Sequence, residues 1–79
     1  MTNKEKYTKA FTDCFEISDE EAMTLEYQGV EAWDSVGHMD LVANVEDAFD
    51  IMLEADDIID FSSYEKGMEI LSTKYGVEF

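Results

Sequence analysis

The chain has no proline and no arginine, one cysteine, one histidine and no long apolar run. Cys14 alone cannot form an internal disulfide, and on an apolar helical face it reads as a buried structural thiol rather than a reactive one. The opening Met1-Thr2-Asn3-Lys4-Glu5-Lys6 contains no apolar stretch, so no signal peptide is visible, and no segment approaches the length that spans a bilayer. The expected compartment is the cytoplasm. Basic residues are few and confined: Lys4, Lys6, Lys9, Lys66 and Lys74 are all of them, and none lies between Ala10 and Glu65. At a net charge of −15, the middle of the chain is a continuous source of negative potential. Such a field disfavours nucleic acid and anionic membranes as partners and attracts basic protein surfaces. Its other reading is solubility alone.

What is present suffices for a core. Hydrophobic residues make up 46% of the chain and aromatics 13%, which sets it apart from disordered acidic sequences. With 79 residues and neither repeats nor a low-complexity linker, one small domain covering residues 1–79 is expected, as a monomer. A core of this size leaves little room for an elaborate interior active site.

The apolar periodicity is helical. Tyr7, Ala10, Phe11, Cys14 and Phe15 recur on one helical face and predict a helix over about Asn3 to Phe15, with Asn3 as its cap. A long connection follows to about Trp33. Within it Ser18-Asp19-Glu20-Glu21 has capping-box spacing, Gln28-Gly29 reads as a turn, and Leu25, Tyr27, Val30 and Trp33 are placed to lie down on the bundle. Asp34 is a good N-cap for a second long helix running to about Asp50. Steps of 100° put Leu41, Val42, Val45, Ala48 and Phe49 on its core face, and Ser35, Val36, Met39, Asp40, Ala43, Glu46 and Asp47 on the other. A short third helix around Ala55 to Asp60 has Ile58, Ile59 and Phe61 as its apolar side. A last helix starts after Ser62 or Ser63, where Ser62-Ser63-Tyr64-Glu65 fits a capping box, with Tyr64, Met68, Leu71 and Tyr75 on one face, Gly67 as a weak point and Gly76 just past its end. The fold class is all-α: three longer helices and a short third one, with an inward stripe of Phe11, Leu41, Val45, Phe49, Ile59 and Leu71.

Ser35 carries the chemical interest. As the first residue after an Asp34 cap, its hydroxyl sits at the positive end of a helix, where a phosphate group is favoured. On position alone, membership of a cap is the preferred reading. A hydrolase with Ser35 as nucleophile and His38 as base is not supported: there is no Gly-x-Ser-x-Gly elbow and only this one histidine. No window has the acid and glycine pattern of a calcium loop, so no metal site is expected.

Trp33-Asp34-Ser35-Val36-Gly37-His38-Met39-Asp40-Leu41-Val42 resembles the signature of the acyl carrier protein family, an Asp-Ser and an aliphatic residue at the start of the second helix. Acids before Phe49-Asp50-Ile51 are similar to that helix's end, and the likeness in length, long first loop and acidity covers nearly the whole chain. The resemblance implies a discrete carrier that catalyses nothing itself. A phosphopantetheinyl transferase would place 4′-phosphopantetheine from coenzyme A on Ser35, beside Asp34, and the arm would hold an acyl group as a thioester. It also implies docking of the transferase, a loading ligase and downstream synthase or transferase enzymes, through basic surfaces, on Val36, Met39, Asp40, Ala43, Glu46 and Asp47. An acyl pocket would be lined by Met39, Ile58, Ile59 and Phe61, for modest chains of fatty-acid or polyketide type. An aminoacyl or D-alanyl carrier, and an acidic helical interaction module without cofactor, are the alternatives. Gly37 stands where the fatty-acid type has an acid, and with His38 it points to a specialised carrier rather than the housekeeping one.

Overall fold

The computed structural model describes residues 1–79. Five helices carry the chain without any strand: α1 Asn3–Phe15, α2 Asp19–Met23, α3 Ser35–Phe49, α4 Ala55–Asp60 and α5 Tyr64–Lys74. Helices α1, α3, α4 and α5 are the four that the apolar spacing predicts. Helix α2 is the turn announced by Ser18, whose hydroxyl accepts from the Glu21 N–H.

Helix α1 starts with a reciprocal capping box between Thr2 and Glu5, so Thr2 and not Asn3 is its cap. Asn3 instead donates from its side chain to the Glu78 carbonyl and ties the two chain ends together. Of the two serines before α5, the second is the cap. Ser63 accepts from the Lys66 N–H, so the expected Ser62–Glu65 box does not form. Helix α3 ends at Asp50 in the left-handed region. In the long loop it is Gln28, not Gly29, that takes the positive φ of the turn.

Helix α1 sends Tyr7, Phe11 and Phe15 into the centre, where they meet Trp33 from the loop, Phe61 after α4 and Tyr64 from α5. Leu41, Val42 and Val45 of α3 and Ile70 and Leu71 of α5 pack into the same buried cluster. Burial of this much apolar surface is what holds so acidic a chain folded. Polar groups inside are paired. The Tyr7 hydroxyl donates to the Tyr64 carbonyl at 2.6 Å, and the Thr8 and Tyr64 hydroxyls lie 2.8 Å apart. Burial, then the neighbouring Tyr64, pushes the Tyr7 phenol far above its ordinary value, so it stays a donor.

Two expected core residues differ. Phe49 is half-buried at the edge of the cluster, and Ile59 is 77% exposed. Helix α4 is one and a half turns long, so of the adjacent pair only Ile58 can lean inward; Ile59 is carried to the outside. Gly67 is not a weak point. A Cβ there would lie 2.3 Å from Phe61 Cζ and 2.4 Å from the Tyr7 hydroxyl, so the glycine is what lets α5 approach these rings.

Helix α4 packs on α5 rather than on α3. Its inward anchor is Asp57, 2% exposed, which accepts from Lys74 Nζ at 2.7 Å and from the Tyr75 hydroxyl at 2.6 Å. The same Tyr75 oxygen accepts from the Glu54 N–H at 2.9 Å. The space left between α3 and α4 is where the candidate site lies.

Candidate functional site

Ser35 is the first residue of α3 and is exposed. Its position is fixed by Asp34, whose carboxylate accepts from the Gly37 N–H at 2.9 Å while its carbonyl accepts from the His38 N–H at 2.8 Å. The Ser35 and Val36 N–H groups have no partner within the protein, as the first donors of a helix do not. Gly37 is buried against the preceding loop: a Cβ would come within 1.9 Å of the Ala32 carbonyl oxygen. Its small size seats the helix start on that loop, whereas Val36, 70% exposed, stands beside the serine in solvent.

An open groove of about 490 Å³ runs from Ser35 between α3 and α4. Met39, Ile58, Ile59 and Phe61, the four residues named from the sequence, line it together, joined by Tyr27, His38 and Ser62. Phe61 is buried and forms floor; Met39 and Ile59 are 54% and 77% exposed and form rim. Not one of these side chains is a carboxylate or a lysine. The other larger depressions all carry charge; the one between α1 and α3, for example, includes Lys6, Lys9, Asp13 and Asp47.

Tyr27, His38 and Ser62 were not placed in the site by sequence reasoning. Tyr27 reaches it because the loop pairs with the chain after α4: the Tyr27 N–H donates to the Ser62 carbonyl at 2.8 Å and the Tyr64 N–H to the Leu25 carbonyl at 2.9 Å. That pairing joins residues far apart in sequence and leaves no local signal. His38 does lie at the edge of the core face, and the structure seats it as a packed side chain. The Trp33 indole N–H donates to its Nδ1 at 2.9 Å, and its Nε2 lies 2.7 Å from the Ile58 carbonyl.

The exposed face of α3 divides. Asp40 and Asp47 look towards α1; Asp47 borders the same depression as Lys6 and Lys9. Val36 and Ala43 are exposed along the middle, and Met39 turns towards α4. Glu46 is half-buried, and its carboxylate accepts from the Leu53 N–H at 2.8 Å, so it holds the α3–α4 connection and is not a free surface acid. Cys14 is half-buried with its sulfur 3.8 Å from the Gly37 carbonyl; burial, then the charge of Asp40, pushes its thiol up, away from the reactive thiolate. No three His, Cys, Asp or Glu side chains converge to hold a metal ion, and no helix is long and apolar enough to cross a membrane. No protein-family model, no curated protein and no solved structure matches this chain.

Proposed function

We propose that this chain is a discrete acyl carrier protein in which Ser35 bears a 4′-phosphopantetheine arm. The observation that carries the reading is the placement of Ser35: an exposed hydroxyl on the first turn of α3, opening onto an uncharged groove in a molecule of net charge −15. The resemblance around Asp34-Ser35-Val36 supplies the chemistry; the geometry supports it.

The residues present fit such a group. The unpartnered Ser35 and Val36 N–H groups and the positive end of α3 favour a phosphodiester at this hydroxyl. Asp34 is already engaged by the Gly37 N–H, which orients its carboxylate along the helix start. In the attachment, Ser35 Oγ forms the new P–O bond and the phosphoanhydride of coenzyme A breaks. Adenosine 3′,5′-bisphosphate leaves, and the hydroxyl proton passes to a base on the transferase. When bound, the arm supplies a thiol that holds an acyl group as a thioester. The chain's own residues then position and shelter: Met39, Ile58, Ile59 and Phe61 offer apolar surface beside Ser35. Asp40 and Asp47 offer charge to basic partner enzymes, around the exposed Val36 and Ala43. Glu46 contributes to that face only at its edge. The lack of a carboxylate in the groove favours acyl over aminoacyl or D-alanyl cargo. An acidic module without cofactor leaves both the groove and the exposed serine without a role.

Incubation with coenzyme A and a phosphopantetheinyl transferase tests the reading by intact mass. The wild-type chain is expected to gain one phosphopantetheine, and Ser35→Ala to keep its helical circular dichroism and gain none. An unmodified wild type with several transferases, or a modified Ser35→Ala, refutes it.

A further inference from the structure

His38 is tied at both ring nitrogens. Because the Trp33 indole can only donate, Nδ1 is the acceptor of that 2.9 Å bond; the proton therefore sits on Nε2 and is donated to the Ile58 carbonyl at 2.7 Å. The ring lies nearly parallel to Trp33, at 14° with centroids 6.1 Å apart, as the bond between their edges requires, and meets Tyr27 and Phe61 edge-on. One imidazole thus bridges the long loop, α3 and α4, and it does so in the lining of the groove. Behind it lie Trp33, Phe11 and Phe15, ring against ring in the core.

We infer that His38 is a specificity-determining residue: its double hydrogen bond shuts the passage from the groove into the core and confines the cargo to uncharged acyl chains lying over Met39, Ile59 and Tyr27. This rests on the carrier reading of Ser35 and adds to it a limit on cargo. An acyl chain entering the core between α3 and α4 must swing the imidazole aside. That strands the Trp33 N–H and the Ile58 carbonyl in apolar surroundings, and a hydrocarbon can satisfy neither. The barrier is made of two directional bonds, so it yields a cut-off with chain length rather than a gradual preference.

The test loads Ser35 with butyryl-, octanoyl- or dodecanoyl-4′-phosphopantetheine, from the corresponding acyl-coenzyme A and a phosphopantetheinyl transferase, and follows side-chain methyl signals by NMR, together with cleavage of the thioester by hydroxylamine. In the wild type all three cargoes are expected to move the Met39 and Ile59 methyls and leave Leu41 and Leu71 unmoved, with no protection gained beyond butyryl. In His38→Ala the two longer chains move Leu41 and Leu71, and their thioesters are cleaved severalfold more slowly. His38→Gln, whose amide can both accept from Trp33 and donate to Ile58, behaves as wild type. Trp33→Phe keeps an aromatic ring, smaller than the indole, and loses one bond, and falls between. Wild-type protein whose octanoyl cargo moves Leu41 and Leu71 overturns the inference, as does a folded His38→Ala that behaves as wild type. If His38→Ala does not fold, the wild-type and Trp33→Phe results decide. A chain that accepts no arm at Ser35 fails earlier, in the mass spectrum, and that outcome overturns the carrier reading and this inference with it.

Discussion

Helix α1 meets α3 and α5 through rings and aliphatic side chains: Tyr7, Phe11, Leu41, Val45 and Leu71 are all fully buried there. Helix α4 is attached differently. Its half-turns are hung on hydrogen bonds, from Lys74 and Tyr75 to Asp57, from the Glu54 N–H to Tyr75, from the Leu53 N–H to Glu46 and between Ile58 and His38. Apolar packing is non-directional and resists in proportion to the area it hides. Hydrogen bonds are directional, and those to the Asp57 carboxylate answer to pH. A segment held mainly by them can open while the rest stays closed. Helix α4 is therefore the side of the groove that loosens first when its polar anchors are disturbed, while α3 is held by the core.

The comparison is broken most strongly from the core side. Leu71→Ala empties a fully buried site and is expected to cost about 2–5 kcal/mol, a large share of the stability of a small domain. Urea unfolding followed by circular dichroism measures it; a loss under about 1 kcal/mol shows that the core is looser than its packing implies. The next effect lies on the α4 side. Hydrogen bonds from Lys74 and then Tyr75 hold the Asp57 carboxyl below its ordinary value. A depressed carboxyl contributes stability above its unfolded value of about 3.9 and loses that contribution as pH falls through the lower folded value. Acidification below about pH 4 should thus move the Ile58 and Ile59 amide signals before Leu41 responds. Asp57→Asn should show loosened α4 amides in hydrogen exchange already at neutral pH, with the α3 amides as in wild type. Simultaneous loss of both helices in that variant abolishes the distinction. The smallest effect is kinetic. Asp40→Lys is expected to slow modification of Ser35 through the association rate, by a margin that added salt removes, with the fold unchanged. Equal rates for variant and wild type at all ionic strengths remove Asp40 from the docking face. Glu46→Lys is a poorer probe, because it also frees the Leu53 N–H; Glu46→Gln keeps an acceptor there and serves as control.

The long helices were legible in the sequence because their signals are local: the spacing of Tyr7, Phe11 and Phe15, and the cap of Asp34 on Gly37. The cap misplaced at α1 and the cap left open at α5 were choices between neighbours of similar chemistry, Thr2 beside Asn3 and Ser63 beside Ser62. Ile59 was assigned inward because a six-residue helix is too short for periodicity to define a face. The groove was reached through Ser35 and the resemblance, and its Met39, Ile58, Ile59 and Phe61 do come together. Tyr27 and Ser62 escaped notice because they depend on the pairing of the first loop with the start of α5. The bonds of His38 became visible only once Trp33 was seen to fold back beneath it.

The contact over Gly67 has a consequence for how such a protein can diverge. Phe61 and Tyr7 press on that glycine closely enough to exclude a methyl, so groove floor and core are one unit, and drift at any of these three positions is opposed by the others. The exposed rim residues Met39 and Ile59 lie outside that unit. Substitutions there can reshape the groove mouth with small effect on stability, typically within about 0.5 kcal/mol for surface positions. The rim can therefore vary one residue at a time, over a floor whose three positions constrain one another.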